Sequence, residues 1–218
     1  MVTVKTHGES SPTLRSHLHS LLSGIYLEEP SEALLEWVES APIPAFFKPG
    51  LLPLDRLRNE YARLFLGSTP AFQPLGRLWD GEAKKKGGAI SIPVIENYRK
   101  AGYELPASHR EIPDHLGVEL EFLAHLTQEE DKARRREDVE RFSHILEAEQ
   151  AFLHDCLLPW APEYCRKVET CTTCDFYRKM ASLTIAFLQW EEDEVQAGLL
   201  KARNLRKRRK TGKEGAFS

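Results

Sequence analysis

Apolar residues recur along this chain at intervals of three and four positions, which is the spacing of one face of an α-helix. The first such stripe begins at Leu14 and the last ends near Ala202. The pattern predicts helices over residues 14–25, 31–38, 54–66, 92–101, 114–126, 135–158 and 175–202. No segment of useful length alternates apolar and polar residues as a half-buried strand would. The sequence therefore predicts an all-α fold.

Two segments interrupt the helical pattern. Four prolines break it between residues 42 and 53, and residues 68–88 are rich in Gly and Pro. A chain of 218 residues can bury one substantial core, and nothing in its composition requires a second domain. We therefore expect a single-domain helical bundle with long irregular loops over residues 13–200. Residues 1–12 are expected to form a flexible tail, and residues 201–218 a basic, disordered one.

The composition of the chain indicates its cellular compartment. No apolar run approaches the roughly 20 residues that a membrane span requires. The polar N-terminus lacks the apolar segment of a secretory signal. Four cysteines are too few for a disulfide-dense secreted scaffold. We therefore predict a cytoplasmic protein with no membrane span and with reduced thiols.

The net charge of −3 conceals an uneven distribution. Residues 201–218 contain eight basic residues and one acidic residue, whereas the rest of the chain contains 22 basic and 32 acidic residues. The acidic body favours cationic peptides over nucleic acid as partners. The basic tail is either a solvated helix end or a contact for nucleic acid or an acidic surface. It has no interleaved aromatic residues for base stacking, so we predict no nucleic-acid partner.

Residues 113–123 mix ionisable and apolar side chains. Proline followed by Asp114 is typical of a helix start. Helical spacing then places His115, Glu119 and Phe122 on one side, next to a stripe of leucines that faces the core. We expect that side to lie at the edge where the helix meets solvent or a groove. The spacing of His115 and Glu119 also suits a metal on a helix, although a hydrogen-bonded or surface pair is the commoner use of it.

Catalytic motifs are absent from the sequence. It contains no glycine-rich phosphate loop, no nucleophile elbow and no dinucleotide fingerprint. An enzyme acting through His115 and Glu119 would also lack a nucleophile and a cofactor motif. These absences favour a binding protein over an enzyme.

The four cysteines allow three interpretations. Cys171 and Cys174 form a CxxC pair before the last predicted helix, with Cys156 and Cys165 upstream. The four thiols can close a tetrahedral zinc site, although the upstream spacings match no established zinc pattern. The CxxC pair can instead be redox-active, or all four can be inert. A cysteine-centred metal-binding or redox-sensing helical protein is therefore the main alternative function.

Three segments in order, residues 61–67, 113–123 and 151–164, resemble the signature motifs of the TorD/DmsD family of chaperones for molybdenum-containing redox enzymes. The resemblance runs from about residue 14 to residue 195. It implies a helical chaperone without enzymatic activity and without a cofactor of its own, apart from possible zinc at the cysteines. Its partner would be the precursor of a molybdopterin oxidoreductase, bound through the twin-arginine leader or as apoprotein until the cofactor is loaded. It would be a monomer or a domain-swapped homodimer.

The resemblance also implies which residues contact the leader peptide. By motif position, Asp114 and His115 would make the main contacts and Glu119 would support them. A leader combines two arginines with an apolar segment, so its receptor needs carboxylates beside apolar groups, to which Phe122 would contribute. Trp79 resembles the aromatic residue that closes a family loop and would line the same groove. The alternatives are that Asp114 only caps a helix and that Trp79 only fills the core.

This chain departs from the family pattern at two places. Residues 72–79 lack the Tyr-Glu-Ser-Val-Tyr character usual in the family, and Arg77 stands among residues expected to meet a cationic leader. Cys156 stands where the family often has histidine. The role implied at each of these places is therefore in question.

Overall fold

The computed structural model describes residues 12–50, 52–67, 73–79, 81 and 92–214, but not the side chains of residues 12, 13 and 208–214. These residues form helices and connecting turns, and no β-strand occurs among them. Their one strand-like pairing is an isolated antiparallel bridge between Leu75 and His115. The prediction of an all-α fold is confirmed. The predicted N-terminal tail at residues 1–12, except for Pro12, lies outside the described residues. Most of the predicted loop at residues 68–88 lies outside them as well.

The helices are labelled in chain order. They are α1 (Pro12–Leu27), α2 (Glu32–Ser40), α3 (Leu54–Tyr61), α4 (Gly76–Trp79), α5 (Ile92–Ala101), α6 (Leu116–Arg135), α7 (Val139–Phe152), α8 (Ala161–Cys171) and α9 (Asp175–Glu214). Short π-helical turns extend α3 over Ala62–Leu66 and α7 over Leu153–Leu157. None of the described helices is both long enough and apolar enough to cross a membrane.

The helix predicted over residues 135–158 has a different start. α6 continues to Arg135, and the chain then turns before α7 begins at Val139. Glu137 adopts a φ of 54° in this turn, and the carboxylate of Asp138 accepts a 3.0 Å hydrogen bond from the amide of Arg141. An aspartate in that position caps a helix, so the turn separates two helices. The prediction of one helix from residue 135 is therefore wrong.

Two further differences lie near the C-terminus. α8 was not predicted at all, although it carries four buried residues, Ala161, Tyr164, Cys165 and Val168. α9 passes the predicted end at residue 202 and continues to Glu214. The backbone is thus helical up to Glu214, where the sequence led us to expect a disordered tail from residue 201.

Helices α1 and α6 form a closely packed antiparallel pair. Arg15 near the start of α1 contacts Glu130 near the end of α6, whereas Ser23 and Leu27 lie beside Gly117 at the start of α6. A Cβ atom at Gly117 would lie 2.5 Å from Cγ of Leu27 and 2.9 Å from the carbonyl oxygen of Ser23. Packed atoms do not approach so closely, so this helix crossing requires glycine at 117.

The side chain of Arg15 lies inside the bundle among three buried glutamates. Its Nη2 lies 2.7 Å from Oε2 of Glu149 on α7, its Nε lies 2.6 Å from Oε2 of Glu191 on α9, and its Nη1 bonds with Glu130 on α6. Arg134 lies 2.5 Å from the other oxygen of Glu130. Burial raises the pKa of Glu149 to about 8 and also raises that of Glu191. Burial therefore favours the protonated, neutral form of Glu149, which reduces the excess of carboxylates around the two arginines.

Candidate functional site

Helix α6 begins inside the motif at residues 113–123. His115 is its N-cap residue, and Nδ1 of His115 accepts a 3.1 Å hydrogen bond from the backbone amide of Gly117. Burial, with the neighbouring charges of His109 and Arg77, lowers the pKa of His115 to about 3. The imidazole is therefore neutral and can act as an acceptor. The alternative in which Asp114 caps this helix is wrong.

Residues 73–79, which include α4, are fastened to the start of α6 by backbone hydrogen bonds. The amide of Gly76 donates to the carbonyl of Asp114 at 2.7 Å, and the amide of Leu116 donates to the carbonyl of Pro74 at 2.8 Å. The two segments are therefore neighbours in the fold, although the sequence separates them by the whole of α5.

Asp114 is fully buried, and its carboxylate is held by Arg77 of α4. Oδ1 of Asp114 lies 2.5 Å from Nη1 of Arg77, and Oδ2 accepts a 2.8 Å hydrogen bond from the backbone amide of Arg77. The side chain of Arg77 is 21% exposed, whereas that of Asp114 is 1% exposed. The guanidinium therefore connects the protein surface to a carboxylate that solvent does not reach. A carboxylate buried in this way needs a cationic partner.

Glu119, in the first turn of α6, is also fully buried. Among the described residues, neither its carboxyl oxygens nor the indole Nε1 of Trp160 has a hydrogen-bond partner of normal geometry. Burial raises the pKa of Glu119 well above its usual range, and the charge of Asp114 raises it further. Burial therefore favours the protonated, neutral form of Glu119. The expected exposed edge formed by His115, Glu119 and Phe122 is not present, because all three side chains are buried.

The two aromatic residues predicted for the groove have different surroundings. Trp79 is partly buried, meets Tyr164 edge-on at a centroid distance of 5.3 Å and donates from Nε1 to the carbonyl of Gln73 at 3.0 Å. Phe122 packs against Tyr98 deeper in the core, at a centroid distance of 4.7 Å. The structure thus places Trp79 on the segment that carries Arg77, whereas Phe122 is a core residue.

The predicted four-cysteine site is not formed. Sγ of Cys165 lies in the core, 3.5 Å from the hydroxyl of Tyr26, whereas Cys156 is buried beside Asn97. Cys171 ends α8 and Cys174 directly precedes α9, and both are partly exposed. In the described part of the chain, no three His, Cys, Asp or Glu side chains are grouped to hold a metal ion. The structure therefore does not bring the four thiols together as the zinc interpretation requires.

Sequence reasoning missed two groups of residues. It noted Arg77 only as a departure from a family pattern and did not predict its pairing with Asp114. It also missed Arg15 and His19, which lie inside the bundle. The signal for the second group was available, because Arg15 and His19 are four residues apart and in phase with the buried face of α1.

The sequence model of the family described as "Nitrate reductase delta subunit" matches residues 27–166, which contain the whole arrangement around Asp114. This chain belongs to that family. The prediction of a TorD-like protein is thereby confirmed. A protein named chaperone protein TorD from Vibrio cholerae serotype O1 (strain M66-2) is 33% identical over 212 residues, with 82% of this chain and 90% of the relative covered.

Further members of the family extend the comparison. Chaperone protein TorD of Photobacterium profundum is 32% identical over 138 residues, and the chain spans 61% of its length. The chlorate reductase assembly chaperone protein of Ideonella dechloratans is 32% identical over 124 residues, which cover 55% of this chain and 61% of that one. These relatives are named as chaperones, in agreement with the prediction that the protein is not an enzyme.

A solved structure supports the fold. The crystal structure of a proposed redox enzyme maturation protein from Archaeoglobus fulgidus matches with a TM-score of 0.50 at 20% identity, covering 87% of this chain and 99% of that one. At this identity the match concerns the fold alone.

Proposed function

We propose that this protein is a cytoplasmic chaperone for a molybdopterin-containing oxidoreductase subunit. It binds the twin-arginine leader of the precursor, or its apo form, or both, and aids cofactor loading and assembly before export. Membership of the family supports the chaperone role, and the names of the TorD and chlorate reductase relatives support a redox enzyme as partner.

One contact carries the proposal of leader binding. The carboxylate of Asp114 already holds a guanidinium, that of Arg77, at 2.5 Å, and a backbone amide satisfies its second oxygen. Carboxylate and guanidinium form charge-assisted hydrogen bonds, which are stronger than neutral ones. The start of α6 therefore has the chemistry of an arginine-binding position, and an arginine is what a twin-arginine leader offers.

The charge of the whole molecule supports the same partner. Outside residues 201–218 the chain contains 22 basic and 32 acidic residues, so its body attracts a cationic peptide. This attraction speeds the encounter with a leader and weakens as salt concentration rises. The Asp114 carboxylate then distinguishes arginine from other cations at close range.

The test is calorimetric titration of the full chain with synthetic twin-arginine leaders from molybdoenzymes of the same organism. A leader in which both arginines are replaced by lysine is the peptide control. We expect micromolar binding that needs the arginines and that falls at least about tenfold in Asp114→Asn, because the peptide then loses its buried anion. Asp193→Asn, which changes an exposed carboxylate on α9, should bind as the wild type does.

Two results would contradict the proposal. Equal binding of the arginine and lysine leaders would show that the protein does not recognise arginine specifically. If no leader binds, the proposal of leader binding is refuted, and only the proposal that the protein binds the apoprotein is left. A loss of affinity in Asp114→Asn counts only if its circular dichroism matches that of the wild type, which excludes unfolding as the cause.

A further inference from the structure

We propose that Arg77 is an internal substitute for a leader arginine. In the free protein its guanidinium occupies the Asp114 carboxylate, and it moves out when an arginine of the partner takes its place. This inference rests on the proposed function, and it adds a competing residue that sets how tightly a leader must bind.

The first support is the position of the Arg77 side chain between solvent and the buried acid. Asp114 is fully buried, and the partly exposed guanidinium of Arg77 connects it to the surface. An incoming guanidinium that replaced that of Arg77 would bond to the same oxygen, Oδ1 of Asp114. The charge of the buried pair would not change during the exchange, so no carboxylate would be left without a cation.

The second support is that the exchange involves a side chain and leaves the backbone in place. The amide of Arg77 bonds to Oδ2 of Asp114, whereas the guanidinium bonds to Oδ1. The amide of Gly76 and the carbonyl of Pro74 separately fasten the segment to α6. Rotation of the Arg77 side chain into solvent therefore frees one oxygen without detaching α4.

The competition has a consequence for selectivity. A ligand with a single arginine recovers only the ion pair that Arg77 gives up, so it gains little from the exchange. A second arginine adds attraction to the acidic body that Arg77 does not already supply. Arg77 therefore weakens every arginine ligand by the same factor, so that at low concentration only a ligand with the further gain of a second arginine binds.

The experiment compares the full-length wild type with Arg77→Ala and with Arg99→Ala, which removes an exposed arginine on α5. Each is titrated calorimetrically with a twin-arginine leader, with the two single-arginine leaders that carry lysine at the other position, and with the double-lysine leader. If Arg77 occupies the site for about nine-tenths of the time, its removal tightens binding about tenfold. We expect the single-arginine leaders to gain affinity for Arg77→Ala by the same factor as the twin-arginine leader, whereas Arg99→Ala behaves as the wild type.

The outcomes separate this inference from the proposed function. If the wild type binds the twin-arginine leader and Arg77→Ala binds it equally or more weakly, the competition is refuted and leader binding stands. If neither protein binds any leader, leader binding fails and the inference fails with it. Tighter binding of the twin-arginine and single-arginine leaders to Arg77→Ala supports both.

A second probe does not depend on a leader or on the stability of one variant. N-acetyl-arginine amide at millimolar concentration should raise the melting temperature of Arg77→Ala and of Arg77→Gln, because it refills the vacated position. It should leave the wild type and Arg99→Ala unchanged, and N-acetyl-lysine amide should have a smaller effect on every protein. No difference between Arg77→Gln and the wild type would overturn the inference even if Arg77→Ala does not fold.

Discussion

Arg15 and Glu149 are 134 residues apart in the sequence, yet Nη2 of the first lies 2.7 Å from Oε2 of the second in the core. The same guanidinium also contacts Glu130 and Glu191, so it bonds to acids from three other helices. Its removal leaves buried acids without their shared cation, which is far more costly than removal of an exposed ion pair.

Arg15→Met should therefore lower the free energy of unfolding by about 3–5 kcal/mol. Urea denaturation of the full chain, followed by circular dichroism, measures this change. Arg99→Met, at an exposed position on α5, should remain within about 0.5 kcal/mol of the wild type. An Arg15→Met protein as stable as the wild type would mean that the glutamates are already neutral without the cation.

The stability of the protein should fall as pH rises from about 6.5 to about 8. Burial raises the pKa of Glu149 to about 8, whereas an ordinary glutamate has a pKa of 4.5, so the folded chain keeps a proton that the unfolded chain releases. Stability then decreases with rising pH between these values, by up to about 1.4 kcal/mol per pH unit. The lowered pKa values of His19 and His115 act in the opposite direction, but only below their ordinary value of 6.5.

Chemical denaturation at several pH values from about 6 to about 9 tests this dependence. Glu149→Gln should reduce the decline between about pH 6.5 and about pH 8, because glutamine keeps a neutral side chain of similar shape at all pH values. The raised pKa values of Glu119 and Glu191 account for the decline that remains. The exposed Glu163→Gln variant should keep the wild-type profile. An undiminished decline in Glu149→Gln would contradict the raised pKa of Glu149 and assign the decline to Glu119 and Glu191, whose pKa values are also raised.

Two glycines in the α1–α6 pair should respond in opposite ways to alanine. Gly117→Ala places a methyl group 2.9 Å from the backbone oxygen of Ser23, so the helices must separate, at a cost of about 1–3 kcal/mol. At Gly24 of α1 the nearest atom to a new Cβ lies at 3.6 Å, which is an ordinary contact. Gly24→Ala should therefore be neutral or should stabilise by up to about 1 kcal/mol through helix propensity.

Thermal denaturation of both alanine variants beside the wild type is the measurement. A melting temperature of Gly117→Ala equal to that of the wild type would contradict the close approach of the two helices. A loss in Gly24→Ala as large as that in Gly117→Ala would show that α1 does not tolerate any added methyl group, and would remove the contrast between the sites.

The four thiols should react at two distinct rates in the native protein. Cys171 and Cys174 are partly exposed, whereas Cys156 and Cys165 are buried. Burial also raises the pKa of Cys165 to about 12, which suppresses the reactive thiolate. A thiol reagent should modify Cys171 and Cys174 quickly in the native protein and all four cysteines only in denaturant. Mass spectrometry of the labelled protein measures both rates. Rapid native labelling of Cys165 would contradict its position in the core.

Helix α1 could be predicted because its buried residues repeat with the helical period. The separation of α6 from α7 could not, because Glu137 takes a positive φ without glycine to signal it and the surrounding charges continue the pattern of an exposed helix face. α8 was missed for a related reason, since its four buried positions lie among charged ones over only 11 residues.

The candidate site was predictable in part. Asp114 and His115 were singled out because a Pro-Asp pair marks a helix start, and both lie where α6 begins. Their exact roles were not predictable, since His115 caps the helix and Asp114 bonds to α4 instead. The partner of Asp114, Arg77, depends on how α4 docks, and no local spacing encodes a contact between residues so far apart in the chain.

The buried cluster around Arg15 also constrains how the sequence can diverge. Replacement of Arg15 alone removes the cation that Glu149 and Glu191 contact, and replacement of one glutamate alone changes the balance of charge around Arg15. A set of apolar side chains of matching volume would restore a stable interior, because buried ion clusters can be exchanged for hydrophobic packing. Positions 15, 130, 149 and 191 are therefore expected to co-vary across the family, kept together in some branches and lost together in others.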